Sequence, residues 1–248
     1  MHLIVTSISV YLQMKNLDAI FFSAHPDDVE LSAGGTVIAL VKAGYKIGIV
    51  DLTQGELSTR GNLKSRAIET KNATKVMGIH ARENLKIQDG NIENNEKNRK
   101  KIIEVVRKYR PKIVFAPYPK DRHPDHINAS NLLRESFFYA GLSKIKTKSP
   151  SYRPSKVFYY AQHFDIPTSF IFDISETYEQ KIEAVKCYKT QFFTDDKKGP
   201  QTYISGKSFG DNLEARSIQW GFQIGAKYGE PFFTESDLKI TADTLFKI

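Results

Sequence analysis

From residue 19 onward, short apolar runs alternate with longer helical segments, and this alternation constrains the fold more than any other property of the chain. Ala19 to Ala24 reads as a fully buried strand, and Glu30 to Ala43 as a helix stopped at Gly44. Lys46 to Leu52 reads as a second strand, and Leu63 to Met77 as a helix stopped by Gly78. Leu85 to Gln88 follows as a third strand, Glu96 to Tyr109 as a charged amphipathic helix ended ahead of Pro111, and Ile113 to Ala116 as a fourth strand. Pro124 to Ala140 reads as a helix with proline in its first turn, and Val157 to Ala161 and Phe170 to Asp173 as later strands. Glu176 to Tyr188 reads as a late helix, and Thr194 to Gly210, rich in Gly, Lys and Asp, as a loop near the site. Strand and helix in alternation imply an α/β fold with a mostly parallel sheet and helices on both faces.

A length of 248 residues with 40% hydrophobic side chains suits one such domain, expected over residues 14–248. Residues 1–13 form a short apolar run with no basic leader and no cleavage site, too short to span a bilayer. They are expected to be a start-site extension peripheral to the fold, and no other stretch reads as membrane-spanning. The formal charge of +8 is scattered, and its densest clusters (97–101 and 144–148) carry no interleaved aromatics. The chain is therefore not expected to bind nucleic acid; its charge favours an anionic small-molecule substrate. Cys187 is the one cysteine, which excludes an intramolecular disulfide and fits a reducing cytoplasm. It lies on an expected helix with no obvious base and reads as an inert thiol.

Open parallel sheets bind ligands beyond the carboxyl ends of their strands, where the strand order reverses. In a Rossmann-like order strands one and four are neighbours at that crevice. Two His-Pro-Asp segments fall at those strand ends: Ala24-His25-Pro26-Asp27-Asp28, and Asp121-Arg122-His123-Pro124-Asp125-His126. A catalytic zinc takes three imidazole or carboxylate ligands and leaves one position open, and His25, Asp28 and His126 supply such a set. Fe2+ suits the same donors as Zn2+. Asp27 is then free to take a proton from water, and His123, one helical turn before His126, to stabilise an oxyanion as imidazolium. A lone His-Pro-Asp is ordinarily a turn; two copies at neighbouring strand ends, holding three of the six histidines, point to a metal. His2, His80 and His163 lack such company and read as surface or structural. Gly34-Gly35 lacks the G-x-G-x-x-G context of a nucleotide site, and no G-x-S-x-G elbow is present for a serine hydrolase.

A-H-P-D-D followed by G-G, with H-P-D-H at the fourth strand, resembles the LmbE-like (PIG-L) family of zinc N-deacetylases, and the resemblance runs through most of Asp18 to Phe233. D-L-T-Q-G-E-L-S-T-R-G (51–61), F-A-P-Y-P-K-D-R-H-P-D-H (115–126) and L-E-A-R-S-I-Q-W-G (213–221) are similar to one branch of it, the bacillithiol-biosynthesis deacetylases that act on N-acetyl-glucosaminyl-malate. The resemblance implies an LmbE-like fold, zinc on His25, Asp28 and His126, Asp27 as general base and His123 as its electrostatic partner. It implies substrate contacts from Arg66, Arg122 and Arg153, whose planar guanidinium groups suit the two carboxylates of malate. Tyr203 resembles the tyrosine that closes over the site in relatives. Trimers or hexamers are common in the family, and the aromatic-rich C-terminal third offers an interface.

Three rivals stand beside this reading. The same hydrolysis could act on a chitooligosaccharide, another GlcNAc conjugate or a thiol-conjugate amide. A non-catalytic carbohydrate- or nucleotide-binding module would lack acetate release, and a basic nucleic-acid binder would bind DNA with steep salt dependence.

Overall fold

The computed structural model describes residues 16–192 and 200–245. The expected extension at residues 1–13, and the opening of the loop expected from Thr194, lie outside them.

Strand β1 (Ala19–Ser23) is buried along its whole length. Its alternate side chains feed two separate cores, as a two-residue repeat requires. Ile20 and Phe22 pack with Ile102, Val106, Leu133 and Phe137 on one face of the sheet. Ala19 and Phe21 pack with Val29, Val37, Ile38 and Met77 on the other. A strand buried on both faces cannot show polar alternation, and this one does not.

The first face is covered by α3 (Glu96–Tyr109) and α4 (Pro124–Ala140), the second by α1 (Asp28–Lys42), α2 (Leu63–Met77) and α5 (Tyr178–Lys186). With β2 (Ile47–Asp51), β3 (Ala81–Asn84), β4 (Ile113–Pro117), β5 (Lys156–Tyr160), β6 (Phe170–Asp173) and β7 (Gly229–Phe233), the sheet order is β3-β2-β1-β4-β5-β7-β6. The first five strands pair in parallel. Strand β7 runs antiparallel to both β5 and β6. The order reverses between β1 and β4, so the crevice lies where the two His-Pro-Asp segments leave the sheet. The expected α/β fold, mostly parallel with helices on both faces, is the observed one.

Three elements depart from the sequence reading. The third strand is Ala81–Asn84 rather than Leu85–Gln88. It is a sheet edge, where apolar side chains are not required, and Arg82 is held there by the buried Asp51 and Glu30. Leu85 and Ile87 still donate backbone hydrogen bonds to Asp51 and Leu52 (2.9 and 2.8 Å), just past the strand. Helix α6 (Lys207–Phe222) has no counterpart in the expected elements, and Lys207 to Gly210 form its first turn rather than loop. Strand β7 likewise has no counterpart among the expected elements, and its Gly229 and Pro231 are residues that local preference keeps out of strands. Pro231 is tolerated because β5 pairs only with Phe232 and Phe233, leaving no partner there for the missing N–H. A short helix α7 (Ala242–Leu245) closes the described chain. No helix among the described residues is long and apolar enough to cross a membrane.

Candidate active site

The chain leaves β1 at Ala24, whose carbonyl accepts hydrogen bonds from the Thr53 amide and hydroxyl (3.0 and 2.9 Å). Pro26 and Asp27 then turn the backbone sharply into α1. Asp27 takes φ 118° and ψ −26°, a region that L side chains occupy at a cost and that clusters at functional sites. The turn brings Asp28 back against its own start, where Oδ2 accepts the His25 amide at 2.8 Å. After β4, Asp121 fixes the second segment by accepting the His123 amide (2.8 Å), and His123 caps α4 by accepting the Asp125 amide on Nδ1 (3.2 Å).

These two turns meet. His25 Nδ1 lies 3.6 Å from Asp28 Oδ2, and His126 Nε2 lies 3.3 Å from Asp28 Oδ1. One donor atom from each of His25, Asp28 and His126 falls within 4.8 Å of the others. A carboxylate backs each imidazole. His126 Nδ1 is 2.8 Å from Asp121 Oδ1, and His25 Nε2 is 3.0 Å from Asp89 Oδ1 and 3.3 Å from Asp125 Oδ2. Such outer carboxylates fix ring orientation and raise ligand basicity in metal sites.

Charge follows this geometry. Burial opposes a charge on His126, yet Asp28 and Asp121 hold its pKa up at about 9. Burial likewise opposes charge on His25, which Asp125, Asp28 and Asp89 nonetheless hold well above the ordinary imidazole value. Asp28, against its burial, is held well below the usual carboxylate range by His126 and His25. Both rings are drawn toward cationic forms by surrounding carboxylates, so the cluster has the charge balance and donor chemistry of a cation site. The residues fit a divalent metal.

Asp27 differs from its neighbour. Burial pushes its carboxyl up to about 7, against the opposing pull of Arg66. Arg66 Nη1 sits 3.0 Å from Asp27 Oδ2 and 2.6 Å from the Pro26 carbonyl, while Nη2 donates to Ser58 Oγ at 2.7 Å. Arg66 is thus a buried brace for Asp27, although the sequence suggested a substrate contact.

The other expected residues divide. His123 reaches the site, with its ring centroid 4.8 Å from His25 and 4.7 Å from His126. It is not an imidazolium there. Its Nδ1 accepts a hydrogen bond, and burial together with His25 and His126 lowers its pKa. Arg122 stacks on the Tyr203 ring at 4.3 Å, and Tyr203 lies 5.8 Å from the His163 ring, so both stand at the mouth of the cleft. Arg153 does not reach the site. It lies against Phe138 and Gly141 at the far end of α4, a 17-residue helix and so about 25 Å long.

Sequence reasoning missed Asp89, Asp121, Asp125 and His163. His163, expected to be structural, accompanies the site: its Nδ1 is 2.9 Å from Asp121 Oδ1, and its ring stacks 5.5 Å from that of His126. The available signal was position, because His163 and Asp89 both follow strand ends on the same edge of the sheet. His80 has the structural role expected of it, with Nδ1 accepting the Ile47 amide at 3.3 Å. Cys187 is half-buried, and burial raises its thiol pKa, which disfavours the thiolate form.

A family model described as GlcNAc-PI de-N-acetylase (PIG-L) matches residues 20–137. Diacetylchitobiose deacetylase of Thermococcus kodakarensis is 31% identical over 222 residues, covering 83% of this chain and 78% of that protein. The crystal structure of the conserved protein TT1542 from Thermus thermophilus superimposes with a TM-score of 0.83 at 32% identity, over 91% of this chain and 98% of that one. A probable N-acetyl-alpha-D-glucosaminyl L-malate deacetylase of Bacillus anthracis is 27% identical over 190 residues, 68% of this chain and 79% of that protein. The malate branch is therefore the more distant of the two named activities, although the sequence motifs pointed to it first. The chain belongs to the PIG-L/LmbE-like family and is a deacetylase, an amidohydrolase of that family.

Proposed function

We propose that the protein removes the acetyl group from the nitrogen of a GlcNAc-bearing sugar, with a chitooligosaccharide such as diacetylchitobiose as the first candidate substrate. The observation that carries this reading is the convergence of His25, Asp28 and His126 beside a buried carboxyl, Asp27, whose pKa lies near 7. His25, Asp28 and His126 would hold Zn2+ or Fe2+, which supplies Lewis acidity toward the acyl oxygen and makes water easier to deprotonate.

The chain's own residues supply the proton handling. With Oδ2 held by Arg66, Asp27 takes a proton from the attacking water on Oδ1. The water oxygen bonds to the acetyl carbon, and the Nε2–H of neutral His123 donates to the oxyanion that develops. Asp27 then returns its proton to the sugar nitrogen as the C–N bond breaks, releasing acetate and the free amine.

Two observations favour the chitooligosaccharide over N-acetyl-glucosaminyl-malate. Similarity to the diacetylchitobiose deacetylase is higher and covers more of this chain. Of the three arginines that would clamp malate, Arg66 is committed to Asp27 and Arg153 is remote, leaving Arg122. The test is acetate release from diacetylchitobiose, GlcNAc and N-acetyl-glucosaminyl-malate, with and without chelator. Chelator-sensitive release fastest from the disaccharide is expected. Preference for the malate conjugate transfers the substrate assignment, and release from none of them overturns the reading.

A further inference from the structure

On the sheet face covered by α3 and α4, a surface groove of about 530 Å³ runs between the segment leading into α3 and the outer side of α4. Its two walls continue segments that already serve the trio His25, Asp28 and His126. Gly90 donates to Asp125 Oδ2 at 2.8 Å, which joins the residue after Asp89 to the first turn of α4. Asp89 and Asp125 both face His25 Nε2. The groove opens just past these two contacts, at Ile92 and Asn94 on one wall and at Asn128 on the other. From His126 to Phe138, at its far end, α4 advances about 18 Å, the length of several linked sugar rings.

The lining has the chemistry of a receptor for a neutral, hydroxylated chain. Asn128 and Asn131 are exposed, three residues apart on one face of α4, and their carboxamides make no hydrogen bond among the described residues. Asparagine is a poor helix former, and an exposed helical position gains from alanine, lysine or glutamate instead. Two asparagines there keep paired donors and acceptors free at a cost to the helix, which is how functional positions break local preference. The charges of the groove cancel: Glu135 pairs with Arg99 and Arg134 with Glu235, each at 3.5 Å. On a chain of formal charge +8, such a groove does not suit a polyanion. The Phe138 ring is 56% exposed yet held in place, with the Arg153 guanidinium 4.5 Å from its centroid. A second copy of the chain would favour an apolar centre, whereas amides and ion pairs occupy the centre here. A fixed aromatic ring beside free amides matches the C–H face and the hydroxyls of a sugar. We propose that the groove along α4 is an extended subsite, holding the distal sugars of an N-acetylated oligosaccharide whose reacting residue lies at the trio. This inference rests on the deacetylase reading above and deepens it, from one sugar at the site to a chain that continues beyond it.

The experiment separates this inference from the reading beneath it. Chelator-treated wild-type protein, Asn131→Ala and Phe138→Ala are titrated calorimetrically with diacetylchitobiose and with the linear tetrasaccharide of the same repeat. Both variants truncate exposed side chains, and alanine favours the helix. Wild type is expected to bind the tetrasaccharide about tenfold more tightly than the disaccharide, and each variant to cut that ratio by about threefold to tenfold. In the zinc-loaded proteins the same loss should fall on KM for the tetrasaccharide rather than on kcat, because the groove holds substrate away from the reacting bond. Equal affinity of wild type for the two saccharides overturns the inference, as does a tetrasaccharide advantage that survives in both variants. A smaller sedimenting species in Phe138→Ala, with the advantage intact, assigns the groove to a second copy and overturns it too. Acetate release from both saccharides without a difference in affinity fails the subsite alone. Release from neither, with a variant-sensitive affinity ratio retained, fails the deacetylase reading and leaves the groove as a saccharide site.

Discussion

At the scale of the residue, Asp27 and Asp28 are neighbours in sequence with opposite electrostatic fates. Asp28 meets two imidazoles and is held ionised; Asp27 meets burial and one guanidinium and is pushed up to about 7. Replacing Asp27 with Asn keeps the shape and removes the proton acceptor. Turnover on diacetylchitobiose should fall by a factor of about 100 or more, with one equivalent of zinc retained by elemental analysis. A raised carboxyl pKa also sets the acid limb of the rate: the base works only when deprotonated, so kcat/KM should fall as pH drops below about 7. Asp121 tests the outer layer. It accepts from both His126 and His163 and from two backbone amides, so Asp121→Asn should weaken zinc binding about 10- to 100-fold in a competition assay. The metal trio was legible in the sequence because two copies of one tripeptide fell at neighbouring strand ends. Their acidic partners were less legible: Asp89 differs from other aspartates only by where the fold delivers it, and Asp121, although inside the second segment, is marked as the partner of His126 only by the turn that brings the two together. His123 shows a further limit: its type and spacing gave its location, but its protonation depends on the Asp125 amide, which only the cap reveals.

At the scale of the element, Gly34-Gly35 resolves differently from its sequence appearance. The pair sits at a break in α1, where Ala33 leaves helical geometry (φ −139°, ψ 15°). The freed amides of Gly35 and Thr36 donate to Glu230 on β7 (3.0 and 2.8 Å), and Lys181 on α5 completes the carboxylate at 2.8 Å. Here the anion bound by the glycine turn is the protein's own side chain. A Cβ on Gly35 would come within 2.7 Å of Ile174, so the glycine also permits close packing of α1 against the segment that precedes α5. Glu230→Ala would strand a buried lysine and several donors, and should cost about 3–5 kcal/mol in urea unfolding, whereas Gly35→Ala should cost about 1–3 kcal/mol through overpacking. The elements missed from sequence have a common cause. Helix α6 begins at Gly206 without a capping side chain and holds Gly210 and Gly221, while β7 contains Gly and Pro; both owe their form to neighbours rather than to local preference. By contrast α4, with proline in its first turn, and α3, amphipathic and capped by Asn95, were placed within a residue or two.

At the scale of the whole molecule, the site couples the sheet's two halves, because its ligands leave β1 and β4 on opposite sides of the point where strand order reverses. Anything bound there ties α1 to α4, and folding stability should depend on it. The sign of the pH dependence follows from His126. Its pKa is held at about 9 in the folded chain, where Asp28 and Asp121 outweigh burial, against about 6.5 when unfolded. The folded state therefore holds a proton that the unfolded state releases between those values. This stabilisation is complete below about pH 6.5 and is lost as pH rises through 9. A dication replaces that proton as partner to Asp28, and it binds more strongly as the competing proton leaves. Chelator-treated protein should therefore lose thermal stability between pH 6.5 and 9, with Tm falling on the order of 5 °C. Zinc-loaded protein should lose less, so the Tm difference between the two forms should widen across that interval. His126→Gln should flatten the chelator-treated curve and shrink the zinc increment together. Parallel curves for the two forms of the wild-type protein would show that the cation does not take the proton's place, and with it the assignment of His126 as a ligand would fail.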